Sequence, residues 1–132
     1  MVGFITNRFH YFEIGARSRL DTFYATVEFH LEGGNRGSIY PHIMNDLYSG
    51  KLDANNLDKG LEEIETIAIE LKKMQPSQII WAENEPCYEL TDNMKALEDA
   101  LVSNNNTKIV EVIHAAIKMG MHFNSDILYR KL

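Results

Sequence analysis

The chain predicts an α+β fold: one compact domain over residues 1–132, with a small, mostly antiparallel sheet packed with four to five helices. Three observations carry that expectation. Two short runs rich in aromatic and branched residues open the chain around a polar break, as a β-hairpin does. Several later segments repeat apolar residues every three or four positions, as helices with one buried side do. The order of these segments, ββαααβαα with a final short strand, keeps helices and strands largely apart instead of alternating them. At 132 residues the chain is one domain by length and can bury roughly two-thirds of its unfolded surface without a metal or disulfide.

The elements follow in order. VGFIT and FHYFEI flank Asn7-Arg8 and form the hairpin. Arg17 to Glu32 fits two patterns. Phe23, Ala25, Val27, Phe29 and Leu31 alternate with polar or partly polar residues, as in a strand, while Leu20, Phe23, Tyr24, Val27 and Leu31 lie on one helical stripe. The helix is favoured because a strand from Leu20 to Leu31 would be unusually long, and the strand reading stays open. Pro41 suits the first turn of a short helix with Ile43, Met44 and Leu47 on its apolar side, and Gly50 suits its left-handed end. Leu57, Leu61, Ile64, Ala68 and Leu71 define a helix from Leu57 to Met74 that Pro76 stops. SQIIWA reads as a buried strand with Trp81 in the core. Thr91 or Asp92 caps a helix through Ser103 with Met94, Leu97 and Leu101 inward; Asn104 to Asn106 turn the chain. Thr107 to Met119 forms the last long helix, with Ile109, Val112, Ile113 and Ala116 inward and Glu111, His114 and Lys118 outward. Gly120 ends it, and MHF makes the final strand.

Gly33-Gly34-Asn35-Arg36-Gly37 and Ser49-Gly50-Lys51 raise the question of a phosphate-binding loop. Such a loop needs Gly, four residues, Gly-Lys, then Ser or Thr. Counting back from Gly50 places Asn45 at the first position, and Leu52 follows Lys51, so both anchor positions fail. The glycines read better as punctuation around a short helix, with a looser anion nest at Gly33–Gly37 as the other reading. No His, Cys or acid pair has a metal-ligand spacing, so no metal or cofactor is expected. Cys87 stands between Glu85 and Glu89, a poor setting for a reactive thiolate. No nucleophile elbow occurs, and no catalytic residue is assigned. As the only cysteine, Cys87 also fits a reducing cytoplasm, and no run of about 18 apolar residues is present to span a membrane.

The net charge of −6 is unevenly spread. Residues 53–92 hold ten acids against Lys59, Lys72 and Lys73, while the segments on either side are close to neutral. A patch of that sign repels nucleic acid, whose binding rests on basic side chains, and attracts a basic protein surface.

TFYATVEFHLEGGNRGSIYPHIMNDLYSGKL, from Thr22 to Leu52, resembles the signature of the immunity protein 70 family of bacterial polymorphic-toxin immunities. In that family an "STV…HLE" segment precedes "GSRFP…LMN.LY.G.L". The matching residues are Ala25-Thr26-Val27, His30-Leu31-Glu32, Gly37-Ser38, Pro41, Met44-Asn45, Leu47-Tyr48, Gly50 and Leu52. Leu61–Leu71 and Ile79-Ile80-Trp81 are similar to the helix and "VVW" strand that follow there. Past Trp81 the family tends to continue with Asp and a proline-rich stretch holding a second Trp, whereas this chain reads Ala82-Glu83-Asn84-Glu85-Pro86. The departure falls in the acidic region, where a protein matched to its own toxin is expected to vary.

The resemblance implies a non-enzymatic protein of the bacterial cytoplasm that binds and blocks a cognate toxin domain, the C-terminal part of a large secreted or contact-delivered protein. Its expected target is a basic nuclease, in a narrower form an RNase of a contact-dependent growth inhibition system. The residues expected to meet it are Glu62, Glu65 and Ile69 on one helix face, and Glu83, Glu85 and Glu89 on the loop after Trp81. Two other readings stand beside it: a small hydrolase or nucleotide-binding enzyme using Gly33–Gly37, and a non-catalytic adaptor domain.

Overall fold

The computed structural model describes all residues 1–132. Strands β1 (Val2–Thr6) and β2 (His10–Gly15) form the expected hairpin, with Asn7 and Arg8 both at positive φ in its turn. Arg17–Leu31 is helix α1, which settles the Leu20–Leu31 ambiguity in favour of the helix. A short π-helical turn spans His42–Leu47 directly after Pro41, and Gly50 follows at φ 134°. Strand β3 (Lys51–Leu52) and helix α2 (Leu57–Lys72) come next, then a four-residue helix α3 (Leu97–Ala100), helix α4 (Ile109–Phe123) and strand β4 (Ile127–Lys131). The sheet has the order β2-β1-β4-β3 and every pairing is antiparallel. The α+β expectation holds, with one continuous core contributed by the sheet and all the longer helices.

The glycine-rich loop is built around one carboxylate. Glu32 is 4% exposed, and its oxygens accept the backbone N–H groups of Gly37 (3.1 Å), Ile39 (3.1 Å) and Tyr40 (3.0 Å). Gly37 has φ 82° and lies against the Asn45 side chain, so a Cβ there has neither the conformation nor the room. Glu63 of α2 repeats the device on the π-helical turn: it accepts N–H groups from Ile43 (2.9 Å) and His42 (3.3 Å) at the end where helical N–H groups lack partners. Tyr24 anchors the same end by donating its hydroxyl to the Ile43 carbonyl at 2.9 Å.

Four expectations fail. SQIIWA is not a strand of the sheet: Pro76–Gln78 forms a 3-10 turn, and Ile79 to Trp81 run extended along α1 with no ladder. Threonine hydroxyls replace the missing strand partner. Thr26 Oγ1 accepts the Ile80 N–H at 2.9 Å, and Thr22 Oγ1 accepts the Ala82 N–H at 3.2 Å. Trp81 is accordingly half-buried at the edge of the core, its ring edge-on to Tyr88 with centroids 4.9 Å apart.

The helix expected from Thr91 or Asp92 to Ser103 shrinks to Leu97–Ala100. Side chains compete for the backbone there: Asp99 accepts the N–H groups of Lys95 and Ala96 at 3.0 Å each, and Leu97 N–H goes to the Met74 carbonyl at 2.8 Å. Gly120 does not end α4. Its missing side chain makes room for Ile127, since a Cβ would lie 2.6 Å from Ile127 Cδ1. The helix runs one turn further and stops at Asn124 (φ 51°, ψ 50°), with Ser125 N–H bonded to the Gly120 carbonyl at 2.9 Å. MHF therefore lies in the helix, and the final strand begins at Ile127.

Replacing Glu32 with Ala leaves three amides of the loop without their anionic acceptor and is expected to cost about 3 kcal/mol or more in urea unfolding. Glu28→Ala removes only the partly exposed pair with Arg36 and is expected to cost less than about 1 kcal/mol in the same assay. Thr26→Val strips the Ile80 N–H of its acceptor, with an expected loss of about 1–3 kcal/mol.

Candidate functional site

Helix α2 divides its residues cleanly. Leu57, Ile64, Ile67 and Leu71 point into the core, and the opposite side carries Glu62, Glu65 and Ile69, all exposed. Ile69 is 54% exposed, an apolar side chain set among acids. Helix α4 packs alongside α2, and between them runs a groove of about 370 Å³. Its apolar lining is Ile64, Ala68, Ile69 and Val110; Glu65 lines it from α2, and Glu111 and His114 from α4. His114 Nε2 lies 3.4 Å from Glu65 Oε2.

Lys108 stands at the far end, where it lines this groove and a neighbouring cleft that includes Glu89, Tyr88, Arg19 and Asp99. Its ammonium sits 3.2 Å from both Glu98 and Asp99. Those two carboxylates hold the Lys108 ammonium above its usual pKa. Partial burial works to raise the Asp99 carboxyl, but the N–H groups of Ala96 and Lys95 and the Lys108 ammonium outweigh it and bring it below the ordinary range. The cluster therefore carries one more negative than positive charge.

The acidic loop after Trp81 is tethered at both ends. Ala82 N–H is bound by Thr22. Tyr88 donates its hydroxyl to the Ala100 carbonyl at 2.6 Å, and the Arg19 guanidinium lies 4.4 Å over its ring. Burial pushes the Tyr88 phenol up to about 12, with Arg19 acting in the opposite sense. Between these anchors Glu83 and Glu85 stand exposed, and Glu89 lies just beyond.

The structure thus brings Glu62, Glu65 and Ile69 onto one surface and sets Glu89 beside the adjoining cleft. Glu83 and Glu85 line neither depression; they project from the tethered loop. Glu111 and His114 join the α2 face, which helical periodicity alone did not reveal. Both were legible as outward residues of the last helix, but their neighbours depend on how α4 packs. Within Gly33–Gly37 the amides of Gly34 and Asn35 serve the carbonyls of Glu28 and Glu32 and that of Gly37 serves the Glu32 carboxylate, so an incoming phosphate meets occupied donors. No three His, Cys, Asp or Glu side chains gather where they could hold a metal ion, and no helix is long and apolar enough to cross a membrane.

A family model described as Immunity protein 70 matches residues 4–128, nearly the whole chain, and the chain belongs to that family. No curated protein and no solved structure matches it.

The Lys108–Asp99 bridge has a pH signature. Asp99 is lowered on folding, so its contribution is complete above the unfolded pKa of about 4 and is lost as pH falls through the lower folded value. Lys108 is raised, so its contribution is complete below about pH 10 and is lost as pH rises through the folded value. Asp99→Asn is expected to flatten the acid limb of stability against pH, read from urea midpoints at successive pH values.

Proposed function

We propose that this immunity protein neutralises its cognate toxin by docking a basic surface of it on the exposed side of α2. Glu62 and Glu65 would surround Ile69 as an apolar anchor, with the tethered loop of Glu83, Glu85 and Glu89 steering the approach. The observation that carries this reading is the outward side of α2, where an exposed isoleucine is set beside Glu62, which has no side-chain partner, and Glu65, whose only contact is a long one with His114. Energetically such an interface divides its labour. A buried apolar anchor supplies much of the affinity, and surrounding acids speed the encounter and select a partner of opposite charge.

The partner's expected chemistry follows from the sign of the charge. A nuclease needs a basic groove to hold phosphates, and an acidic protein face can lie in that groove as a substitute for the nucleic-acid backbone. A nuclease toxin is the proposed target, in its narrower form an RNase delivered by contact-dependent growth inhibition. The bacterial cytoplasm is the proposed place of encounter, in keeping with one unpaired cysteine.

The deciding experiment co-expresses the protein with the toxin domain encoded immediately upstream. Growth rescue together with a co-purifying complex is the expected result; an active toxin that is neither bound nor blocked overturns the reading. Ile69→Asp is expected to weaken the complex tenfold or more by calorimetry with the fold intact by circular dichroism. Converting Glu83 and Glu85 to Lys should slow association in stopped-flow mixing and flatten its salt dependence. Unchanged kinetics would remove the loop from the encounter.

A further inference from the structure

The sheet has a second face that the helices leave open. Val2, Phe4 and Thr6 of β1, with Phe12, Ile127 and Tyr129 beside them, turn toward the helices. The alternate residues turn away: Gly3 and Ile5 on β1, Tyr11 and Glu13 on β2, Leu128 and Arg130 on β4. Ile5 and Leu128 are half-buried by their strand neighbours, yet neither belongs to the core cluster, and Tyr11 is 62% exposed.

Register arranges this face in two rows. Ile5 pairs with Tyr11 on one side and Leu128 on the other, and Leu128 pairs onward with the exposed Lys51 of β3, so one row reads Tyr11-Ile5-Leu128-Lys51, with Lys51 outside the three strands centred on β1. Gly3 pairs with Glu13 and with Arg130, so the next row reads Glu13-Gly3-Arg130. Leu132 fills the gap over Gly3. Neither Glu13 nor Arg130 has an ion-pair partner in its own chain.

We propose that this face is a self-association surface whose partner is a second copy of the chain, related by a twofold axis running along β1. That axis lays β2 of one copy over β4 of the other. The apolar row then meets itself reversed: Tyr11 on Leu128, Ile5 on Ile5, Leu128 on Tyr11. The charged row does the same and sets Glu13 against Arg130 twice. The match arises because both charges sit at the level of Gly3 and both apolar flanks at the level of Ile5. Face-to-face sheets are rotated by about 30°, but β2 and β4 flank the axis directly, so the rotation leaves Glu13 within reach of the partner's Arg130.

With the axis on β1 three strands face their counterparts and β3 lies outside the overlap, so the interface is small and the dimer weak, formed only at high protein concentration. The surface is distinct from the exposed side of α2 and leaves that side free.

Sedimentation velocity of the full chain across a concentration series is the test. A monomer–dimer equilibrium is expected. Glu13→Arg and Arg130→Glu should each weaken it by about tenfold or more, because each sets like charges in opposition twice. Mixing the two single variants should restore a dimer, since every facing pair is then complementary. Circular dichroism of the variants checks that they remain folded. A wild-type chain that stays monomeric, a dimer indifferent to both reversals, or a mixture that fails to re-associate overturns the proposal. So does a monomer in which the same substitutions weaken the toxin complex, which would give this face to the toxin.

Discussion

A buried carboxylate must find donors, and Glu32 finds three in the backbone of the loop that follows it. Much else depends on that requirement. Satisfying Glu32 curls residues 33–40 back over the end of α1 and delivers Pro41 and the π-helical turn to the flank of α2. There a second acid, Glu63, takes the exposed N–H groups of that turn. Burial raises the Glu63 carboxyl, and the N–H groups of Ile43 and His42 offset part of that rise, so ionising it has a cost that its two amides only partly return. Arg36 completes the corner, bridging Glu28 at 2.8 Å while its guanidinium lies 4.8 Å over the Tyr48 ring. A stretch that reads as a candidate anion site does bind an anion, and the anion belongs to the chain itself.

What the sequence discloses depends on whether a residue's role is decided locally. The hairpin, α2 and most of α4 are legible because their apolar spacing is a local property, and Leu57 to Leu71 show it most plainly; α1 is only favoured, because its apolar residues fit a strand as well as a helix. The segment Ser77 to Ala82 is not. A short apolar run is equally compatible with a central strand and with an extended stretch on a helix, and the decision rests on Thr22 and Thr26, more than fifty residues earlier. In the same way Gly120 has the composition of a helix end and the job of a packing gap. Its purpose appears only once Ile127 is in place. For the candidate site, the α2 side of the groove is readable from periodicity, whereas Glu111 and His114 join it only through helix packing.

The acids of this protein fall into two kinds that charge counting cannot separate. Glu32, Glu63, Glu98 and Asp99 are tied to backbone amides or to Lys108 and hold the fold in shape. Glu62, Glu83, Glu85 and Glu89 have no such partner, and Glu65 has only a long contact with His114. An excess of negative charge on side chains with no structural partner works against compactness through self-repulsion while keeping the surface soluble.

The departure from the family pattern after Trp81 has a mechanical setting. Trp81 stacks edge-on with Tyr88, Thr22 holds Ala82, and Arg19 covers Tyr88 while donating to the carbonyls of Val102 and Ser103. The residues between these anchors, Glu83 to Pro86, are exposed and take no part in the core. Their identity can change with little effect on folding, because every buried contact of the loop is made by residues at its ends. A surface that must track a changing partner is best carried on such a segment: fixed where it joins the body, unconstrained where it meets solvent. The exposed side of α2 meets the same condition by another route, since Leu57, Ile64, Ile67 and Leu71 hold the helix and leave Glu62, Glu65 and Ile69 free to vary. On the proposed interface both elements can therefore change their exposed residues while the Glu32 and Glu63 networks beneath them stay as they are.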